Sequence, residues 1–287
     1  MPQYVDSFDV VINEILFNPA IDGYSFVEIY NRSQKAFQVN DLQLALRDNN
    51  GGLSTPVPLT DEPFLLLPDQ YLVVSRNVEV VMNQYMYNNR SVFLQMRRMP
   101  TLTRSSGRIV LLNRSLEVLD EVHYNSSQHA GFLTLGSGVS LERVNPNRRS
   151  LDPSNWHTAA QTAGFATPGR KNSQYLELNA TTSKSQVSVN PEVFSPDYDG
   201  IDDLLSINYN FDTPSLIGNV IIFDSAGRTV KTIAQQQLLA AEGTFIWDGT
   251  DDRGRRVIAG IYIVYFQAYN AQGVQKMFKV PCVLAGR

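Results

Sequence analysis

The sequence contains a single cysteine, Cys282, among its 287 residues. An internal disulfide is therefore excluded, and thiol chemistry neither requires nor excludes an oxidising compartment. Cys282 lies in the apolar stretch 280–284, and no Lys, Arg or His stands within two positions of it to stabilise a thiolate. We expect a small buried hydrophobic residue there and not a reactive thiol.

Long apolar runs are also missing. No stretch approaches the roughly 20 residues that a membrane-spanning helix needs, and the N-terminus has no positively charged leader followed by an apolar segment. No transmembrane segment is expected in this chain. Because no export signal is present in it, localisation has to be inferred from family resemblance.

Basic residues are too few and too scattered to form a stripe. The 24 Lys and Arg are outnumbered by 28 Asp and Glu, which gives a net charge of −4. A nucleic-acid partner is not expected, because phosphate binding depends on clustered cations.

Histidine is equally scarce. The three histidines, His123, His129 and His157, include no pair spaced for zinc. Ser126 and Ser127 stand close to His129, but no G-x-S-x-G turn supplies a strained nucleophile. We therefore expect no enzyme activity.

The composition favours β-structure. Aromatic residues reach 10% while charged residues make up only 18%, and aromatic side chains are enriched in strands. A chain of 287 residues is long enough for two domains, each with its own core. Helical periodicity is confined to 77–87, where a short connecting helix is predicted.

Short apolar or alternating runs, separated by Gly, Pro, Asn and Asp, fill both halves. The strands predicted in the first half are 10–17, 25–30, 42–46, 71–75, 91–94, 108–113, 118–124 and 140–144. Those predicted in the second half are 204–211, 219–224, 229–234, 244–247, 260–270 and 274–284. A polar stretch from Asn172 to Ser185 separates the two groups.

These patterns predict an all-β protein with two β-sandwich domains joined by a short polar linker. The predicted first domain is 1–174, the linker 175–185 and the second domain 186–287.

The first domain resembles the bacterial lamin tail domain over about residues 8–174. The resemblance is carried by the opening Val11-Ile-Asn-Glu-Ile-Leu-Phe-Asn-Pro19, by Phe26–Ser33, by Leu141-Glu-Arg143 and by the closing Trp156–Ala160 and Ala166–Ser173. It implies an immunoglobulin-like sandwich without known catalytic residues.

The second domain, about 186–287, resembles the immunoglobulin-like module of the flagellar hook-capping family and of gliding-associated C-terminal modules. The residues that support this resemblance are Phe194-Ser-Pro-Asp-Tyr-Asp-Gly-Ile-Asp-Asp203, Ile222–Val230, Gly243–Gly249 and Ala259–Tyr262. Such modules end many secreted proteins, so Arg287 is expected to be a native chain end. The ending Lys279–Arg287 departs from the basic strand of type IX sorting modules, and a sorting role is not carried over.

Together the resemblances imply a non-catalytic interaction or scaffolding protein. It would be exported to the cell surface, the outer membrane or the periplasm of a Gram-negative bacterium, and its partner would be a protein, a glycan or another envelope component. The alternative is an accessory C-terminal region of a larger secreted enzyme of nuclease or phosphatase type. The oligomeric state cannot be read from the sequence.

Two acids on early strands, Glu14 and Glu28, form a candidate acid–base pair. No nucleophile or metal cluster accompanies them in the sequence, and salt bridges to arginine at an edge or rim are the commoner use of such residues. We interpret them as structural.

The stretch 85–104, rich in Tyr and Arg, is either a loop that recognises a partner or a strand–loop–strand connection without a binding role.

Four aspartates surround Gly200 and form the candidate metal site: Asp197, Asp199, Asp202 and Asp203. Carboxylates at close spacing in a glycine-containing loop present the hard oxygens that Ca²⁺ prefers, although the EF-hand pattern is absent. The same residues suit a turn in which Asp side chains accept backbone N–H groups. Calcium and the metal-free turn both remain open, and no other cofactor is expected.

Overall fold

β-Strands dominate both halves of the chain in a computed structural model that describes residues 3–129, 136–177 and 186–286. The chain divides into two compact units, Met1–Leu178 (unit 1) and Asn179–Arg287 (unit 2). The predicted all-β fold class is confirmed. The predicted domain limits and linker stay predictions, and residues 178–185 of that linker lie outside the described residues.

Unit 1 contains twelve strands in its described part. They are β1 (Val10–Leu16), β2 (Phe26–Asn31), β3 (Phe37–Gln38), β4 (Leu42–Leu46), β5 (Val57–Pro58), β6 (Leu65–Leu66), β7 (Tyr71–Ser75), β8 (Phe93–Gln95), β9 (Ser106–Asn113), β10 (Val118–Asn125), β11 (Leu141–Arg143) and β12 (Trp156–Thr158). Short 3₁₀ turns occupy Val39–Asp41, Arg90–Val92, Ser126–Gln128, Pro153–Asn155 and Gln161–Ala163. The strand predicted at 91–94 thus begins later, because its first residues form a turn capped by Asn89.

These strands form two facing layers. One is a six-stranded sheet in the order β12-β11-β1-β2-β7-β8, the other a four-stranded sheet in the order β10-β9-β4-β5, and β3 and β6 form a small ribbon. Side chains from both layers share one core, among them Ile15 and Val27 from the first sheet and Leu44 and Leu111 from the second. Burial of alternating apolar side chains between the layers accounts for the sandwich.

A β-bulge in β1 changes the face to which its side chains point. The alternation predicts that Val11 enters the shared core with Ile15, but Val10 and Ile12 occupy it instead. The register with β2 shifts between Ile12 and Glu14, and one extra residue in a strand reverses which side chains face inward. The bulge therefore gives Val11 a different environment from that of Val10, Ile12 and Ile15.

The predicted helix within 77–87 is present as α1 (Val78–Gln84). Asn77 caps it, because its side chain accepts a hydrogen bond from the backbone N–H of Val80. α1 links β7 to β8, which pair in parallel. Its apolar side lies on the outer face of the six-stranded sheet, in a second cluster that includes Leu16, Phe26, Val81 and Ala166.

Unit 2 contains eight strands in its described part. They are β13 (Gln186–Asn190), β14 (Val193–Phe194), β15 (Leu205–Asn210), β16 (Ile217–Asp224), β17 (Thr229–Leu238), β18 (Glu242–Trp247), β19 (Gly260–Tyr269) and β20 (Gln275–Leu284). A three-stranded sheet, β13-β15-β18, faces a five-stranded sheet, β14-β20-β19-β16-β17. Cys282 is buried in the core between them, as the sequence predicts.

Tyr262 in unit 2 shows a feature of immunoglobulin-like sandwiches. This buried tyrosine stands near the start of β19, and its hydroxyl donates a hydrogen bond to the carbonyl oxygen of Ile258, four residues upstream, at 2.6 Å. The arrangement is that of a tyrosine corner, which fixes the chain where it crosses from one sheet to the other. The ring of Trp247 packs edge-on against Tyr262 at 5.2 Å between centroids.

Candidate functional site

Three glutamates lie side by side on the outer face of the six-stranded sheet. In the strand register Glu14 of β1 stands opposite Glu28 of β2 on one side and opposite Glu142 of β11 on the other. All three are fully buried. The expectation of arginine salt bridges at an edge or rim is therefore wrong for Glu14 and Glu28.

The segment 165–175, here called the closing segment, buries these side chains and donates hydrogen bonds to their carboxyl groups. The backbone N–H of Thr167 donates to Glu14 at 2.9 Å, and the Thr167 hydroxyl donates to Glu142 at 2.6 Å. Glu142 also accepts hydrogen bonds from the Ser173 hydroxyl at 2.7 Å and from the backbone N–H of Gln174 at 3.0 Å. The carboxylates thus hold an irregular segment whose backbone donors have no strand partner.

Glu28 completes this arrangement. It accepts hydrogen bonds from the backbone N–H of Gly169 at 2.6 Å and from the side-chain amide of Asn13 at 2.8 Å. The Asn13 amide also donates to the side-chain oxygen of Asn172, whose own amide donates to the carbonyl oxygens of Asn13 and Arg143. Each glutamate therefore contacts the closing segment.

Burial away from water disfavours the charged form of all three carboxyl groups. Desolvation, with repulsion from Glu142 and Glu28 added to it, raises the pKa of Glu14 well above its usual range. Desolvation raises the pKa of Glu28 to about 8, against the lowering effect of its hydrogen bonds, and it raises the pKa of Glu142 as well.

The Thr167 hydroxyl is shared unequally between Glu142 and Glu14. The Thr167 hydroxyl oxygen lies 2.6 Å from Oε1 of Glu142 and 3.4 Å from Oε2 of Glu14, and one hydroxyl proton serves only one of them. The other oxygen of Glu14 already accepts from the Ser140 hydroxyl at 2.5 Å. The Thr167 hydroxyl therefore donates to Glu142, and its contact with Oε2 of Glu14 is longer than an ordinary O–H···O hydrogen bond.

A second buried polar group ties the two sheets of unit 1 together. The guanidinium of Arg143 on β11 forms an ion pair with Asp120 on β10 at 3.0 Å. It also donates to the carbonyl oxygen of Ile12 at 2.7 Å and to the hydroxyl of Ser150 at 2.7 Å. Burial lowers the pKa of Arg143 to about 10, so the side chain remains charged at neutral pH.

Three of the four aspartates predicted as a metal site come together in unit 2. One carboxylate oxygen from each of Asp197, Asp199 and Asp203 lies within 4.8 Å of the others. Asp202 does not join this group. It adopts a positive φ of 52°, and its carbonyl oxygen accepts the backbone N–H of Ser195.

Backbone N–H groups of the same loop donate to these carboxylates. Asp203 accepts from Tyr198 at 2.5 Å and from Gly200 at 2.9 Å, and Asp199 accepts from Ile201 at 2.8 Å. A positive φ at Gly200 lets the chain curl around the acids. The loop therefore has the hydrogen bonds expected of a metal-free turn. It also brings together three carboxylate oxygens of the kind that bind hard cations.

The three histidines differ in their surroundings. The side chain of His123 is about half exposed and lies 3.2 Å from Glu121. Burial lowers the pKa of His129 to about 4 and also lowers that of His157. In the Tyr- and Arg-rich stretch, Tyr85 is buried beside α1. The role of that stretch in partner recognition stays a prediction.

Comparison with known proteins supports the assignment of unit 2. Residues 197–272 match the FlgD Ig-like domain model. A search of the curated proteins finds no match.

Among solved structures, the chain is similar to PorZ, described as an essential bacterial surface component of the type-IX secretion system of Porphyromonas gingivalis. The identity is 14%, the TM-score 0.27, and the match covers 62% of this chain and 20% of that one. Dimeric latent PorU from the same organism matches at 12% identity and a TM-score of 0.27, over 91% of this chain and 18% of that one. CopC from Methylosinus trichosporium OB3b matches at 17% identity and a TM-score of 0.24, over 35% of this chain and 93% of that one.

This chain thus spans about a fifth of PorZ and PorU. Among the described residues, no helix is long and apolar enough to cross a membrane. The FlgD match, together with the tyrosine corner, identifies an immunoglobulin-like domain in the C-terminal unit.

Proposed function

We propose that this chain is a non-catalytic interaction module of an exported bacterial protein, in which unit 1 is a lamin-tail-like domain that binds an envelope component and unit 2 anchors or spaces it. The resemblances of both halves support export to the cell surface, outer membrane or periplasm. The FlgD Ig-like match supports unit 2 as a structural module.

One observation carries the proposal. The three carboxyl groups of unit 1 that would suit acid–base chemistry are fully buried and accept hydrogen bonds from their own chain. A general acid or base has to reach the proton that it transfers. These glutamates instead stabilise the closing segment. Their burial supports a role for unit 1 in binding through its surface and not in catalysis.

Binding is tested with purified full-length chain and envelope fractions of the bacterium that encodes it. We expect a saturable fraction of the chain to sediment with the envelope, because an interaction module must recognise a component there. Heat-unfolded chain is the control for nonspecific adhesion. Sedimentation that rises linearly with added protein, or that is equal for the unfolded chain, would exclude the proposal.

We also propose that the loop 197–203 binds Ca²⁺. The donor set fits the ion, because three carboxylates converge and Ca²⁺ accepts six to eight oxygen ligands in flexible geometry. Asp197, Asp199 and Asp203 would hold it, and the ion would offset the repulsion among them. Asp202 is left out of this proposed set, since it stands apart from the other three.

Calcium is expected to raise the melting temperature of unit 2, because a ligand that binds only the folded state stabilises it by mass action. At a calcium concentration of 100 Kd the gain is about 2.7 kcal/mol. Melting curves with calcium and with chelator measure the effect. Asp199→Asn should remove most of it, whereas Asp202→Asn, the matched control, should retain it. Superimposable wild-type curves would show that the loop is only a hydrogen-bonded turn.

A further inference from the structure

The two sheets of unit 2 differ in the character of their outer faces. On the three-stranded sheet most outward side chains are polar, among them Ser206, Asn208 and Thr244. The five-stranded sheet instead places apolar and aromatic side chains next to one another on its outer face: Ile221, Phe223, Ile261, Ile263, Tyr265 and Pro281. An antiparallel sheet with one face in water ordinarily carries polar side chains on that face. The outer face of the five-stranded sheet departs from this rule.

β19 shows the departure most clearly. Every residue from Ile261 to Phe266 is apolar or aromatic, although the side chains alternate between the two faces. Such a run is typical of a strand that is covered on both sides. The core of unit 2 covers the inner side, whereas Ile261 on the outer side is 57% exposed. Val193 on β14 and Met277 on β20 are 52% and 60% exposed on the same face. The outer face therefore has the composition of a surface that a partner covers.

The size of this face is that of a protein interface. β17, β19 and β20 have 10 residues each, and β16 has 8. At about 3.3 Å per residue and about 4.8 Å of width per strand, these four strands cover roughly 33 by 19 Å, or about 630 Å² in projection. Protruding side chains make the accessible surface larger than its projection. A standard interface buries about 800 Å² on each partner, so this face is large enough for a stable dimer.

The charges on this face are complementary to the face itself. One row of the strand register crosses β20, β19, β16 and β17, and its members are Lys279, Tyr265, Ile221 and Thr232. Among the described outward side chains of β16, β19 and β20, only Lys279 carries a charge, and it forms no ion pair with a described residue. At the other end of the row, the exposed carboxylate of Asp252 accepts the backbone N–H of Thr232 at 2.9 Å. The row thus has a cation at one end and an anion at the other.

We infer that unit 2 forms a two-fold dimer through the outer face of its five-stranded sheet, with a second copy of this chain as the partner. A two-fold axis that runs along β19, between the two sheets, places β20 of one copy over β16 of the other and keeps each row opposite itself. Lys279 of each copy then extends toward Asp252 at the β17 edge of the other copy. Both charges gain a partner, and the apolar side chains lose contact with water.

A second copy fits this face better than an unrelated protein does. Sheets that pack face to face align through their twists, and two copies of one sheet have the same twist. An unrelated partner would have to supply an apolar sheet face together with a carboxylate at the position that Lys279 reaches. The dimer goes beyond the proposed function, because it does not depend on what unit 1 binds.

Sedimentation equilibrium of the full-length chain over about 1–100 μM tests the inference. We expect a reversible monomer–dimer equilibrium in the wild type. Ile261→Asp should raise the dimer dissociation constant at least about a hundredfold, because it buries an unpaired charge in an apolar interface. Ile246→Asp is the matched control and should leave the constant unchanged, since Ile246 is 47% exposed on the outer face of the other sheet. Melting curves check that both variants are folded.

Charge reversal tests the two-fold arrangement. Lys279→Glu and Asp252→Lys should each weaken the dimer, because each puts like charges opposite each other, and the double variant should restore it. A double variant as weak as the single ones would overturn this arrangement. A wild type that stays monomeric, or unchanged association of folded Ile261→Asp, would overturn the dimer. A monomeric wild type that binds an envelope protein through Ile261 would assign the face to that protein and also overturn it.

Discussion

Asp120→Asn is expected to destabilise unit 1 by about 3–5 kcal/mol, because it leaves the buried charge of Arg143 without its counter-ion. The ion pair is enclosed between the two sheets, and the side chain of Arg143 is 0% exposed. The loss should appear in the unfolding transition of unit 1 during chemical denaturation of the full chain. Unit 2 has its own core and should unfold as before.

An exposed ion pair supplies the matched control. Arg148 and Asp152 lie 2.6 Å apart, with side chains 30% and 37% exposed. Asp152→Asn should cost below about 1 kcal/mol, because water already solvates both charges. The double variant Asp120→Asn with Arg143→Met should lose less than the sum of the two single changes, since the unpaired charge is gone. If Asp120→Asn costs no more than Asp152→Asn, Arg143 does not depend on its ion pair.

Unit 1 is expected to lose stability as pH rises from 7 to 9. A buried carboxyl group with a raised folded-state pKa keeps a proton that the unfolded chain has released, so the folded state binds more protons over this range. Its contribution is fully present below the unfolded pKa of about 4.5 and is lost as pH rises through the folded pKa, which is about 8 for Glu28. The slope is up to about 1.4 kcal/mol per pH unit for each proton.

Histidine titration does not account for a fall in stability between pH 7 and 9. His129 and His157 have lowered folded-state pKa values, so they affect stability with the opposite sign and only at lower pH. Urea unfolding at several pH values measures the slope. Glu28→Gln should flatten it, while Glu79→Gln, on an exposed side chain, should not change it. A wild-type stability that is constant or rising over this window would show that the carboxyl groups are already ionised at pH 7.

The sequence predicts the fold well because apolar alternation is a local signal. β4 and β7 have the predicted bounds, and Asn77 caps the helix predicted within 77–87. The position of Val11 could not be predicted, because the bulge that displaces it exists only in the pairing of β1 with β2.

The three adjacent glutamates, Glu14, Glu28 and Glu142, show even more clearly that pairing between distant strands is not predicted by local sequence. Glu142 stands about 130 positions after Glu14, and only the antiparallel register of β11 with β1 brings them together. No spacing rule connects them in the sequence. Their burial depends on donors such as Thr167 and Gly169 in a segment without regular structure, which periodicity does not predict. The aspartate loop is a local signal, because its three converging members lie within seven positions of the sequence.

We propose that unit 1 acts by binding while its buried glutamates only stabilise it. The most direct test is the amount of full-length Glu14→Gln chain retained on envelope fractions, compared with wild type at a temperature where both are folded. The Glu14 side chain is fully buried and accepts hydrogen bonds from its own chain, so retention should be unchanged. Loss of retention by a variant that melts like the wild type would contradict the claim, because it would give Glu14 a direct part in function.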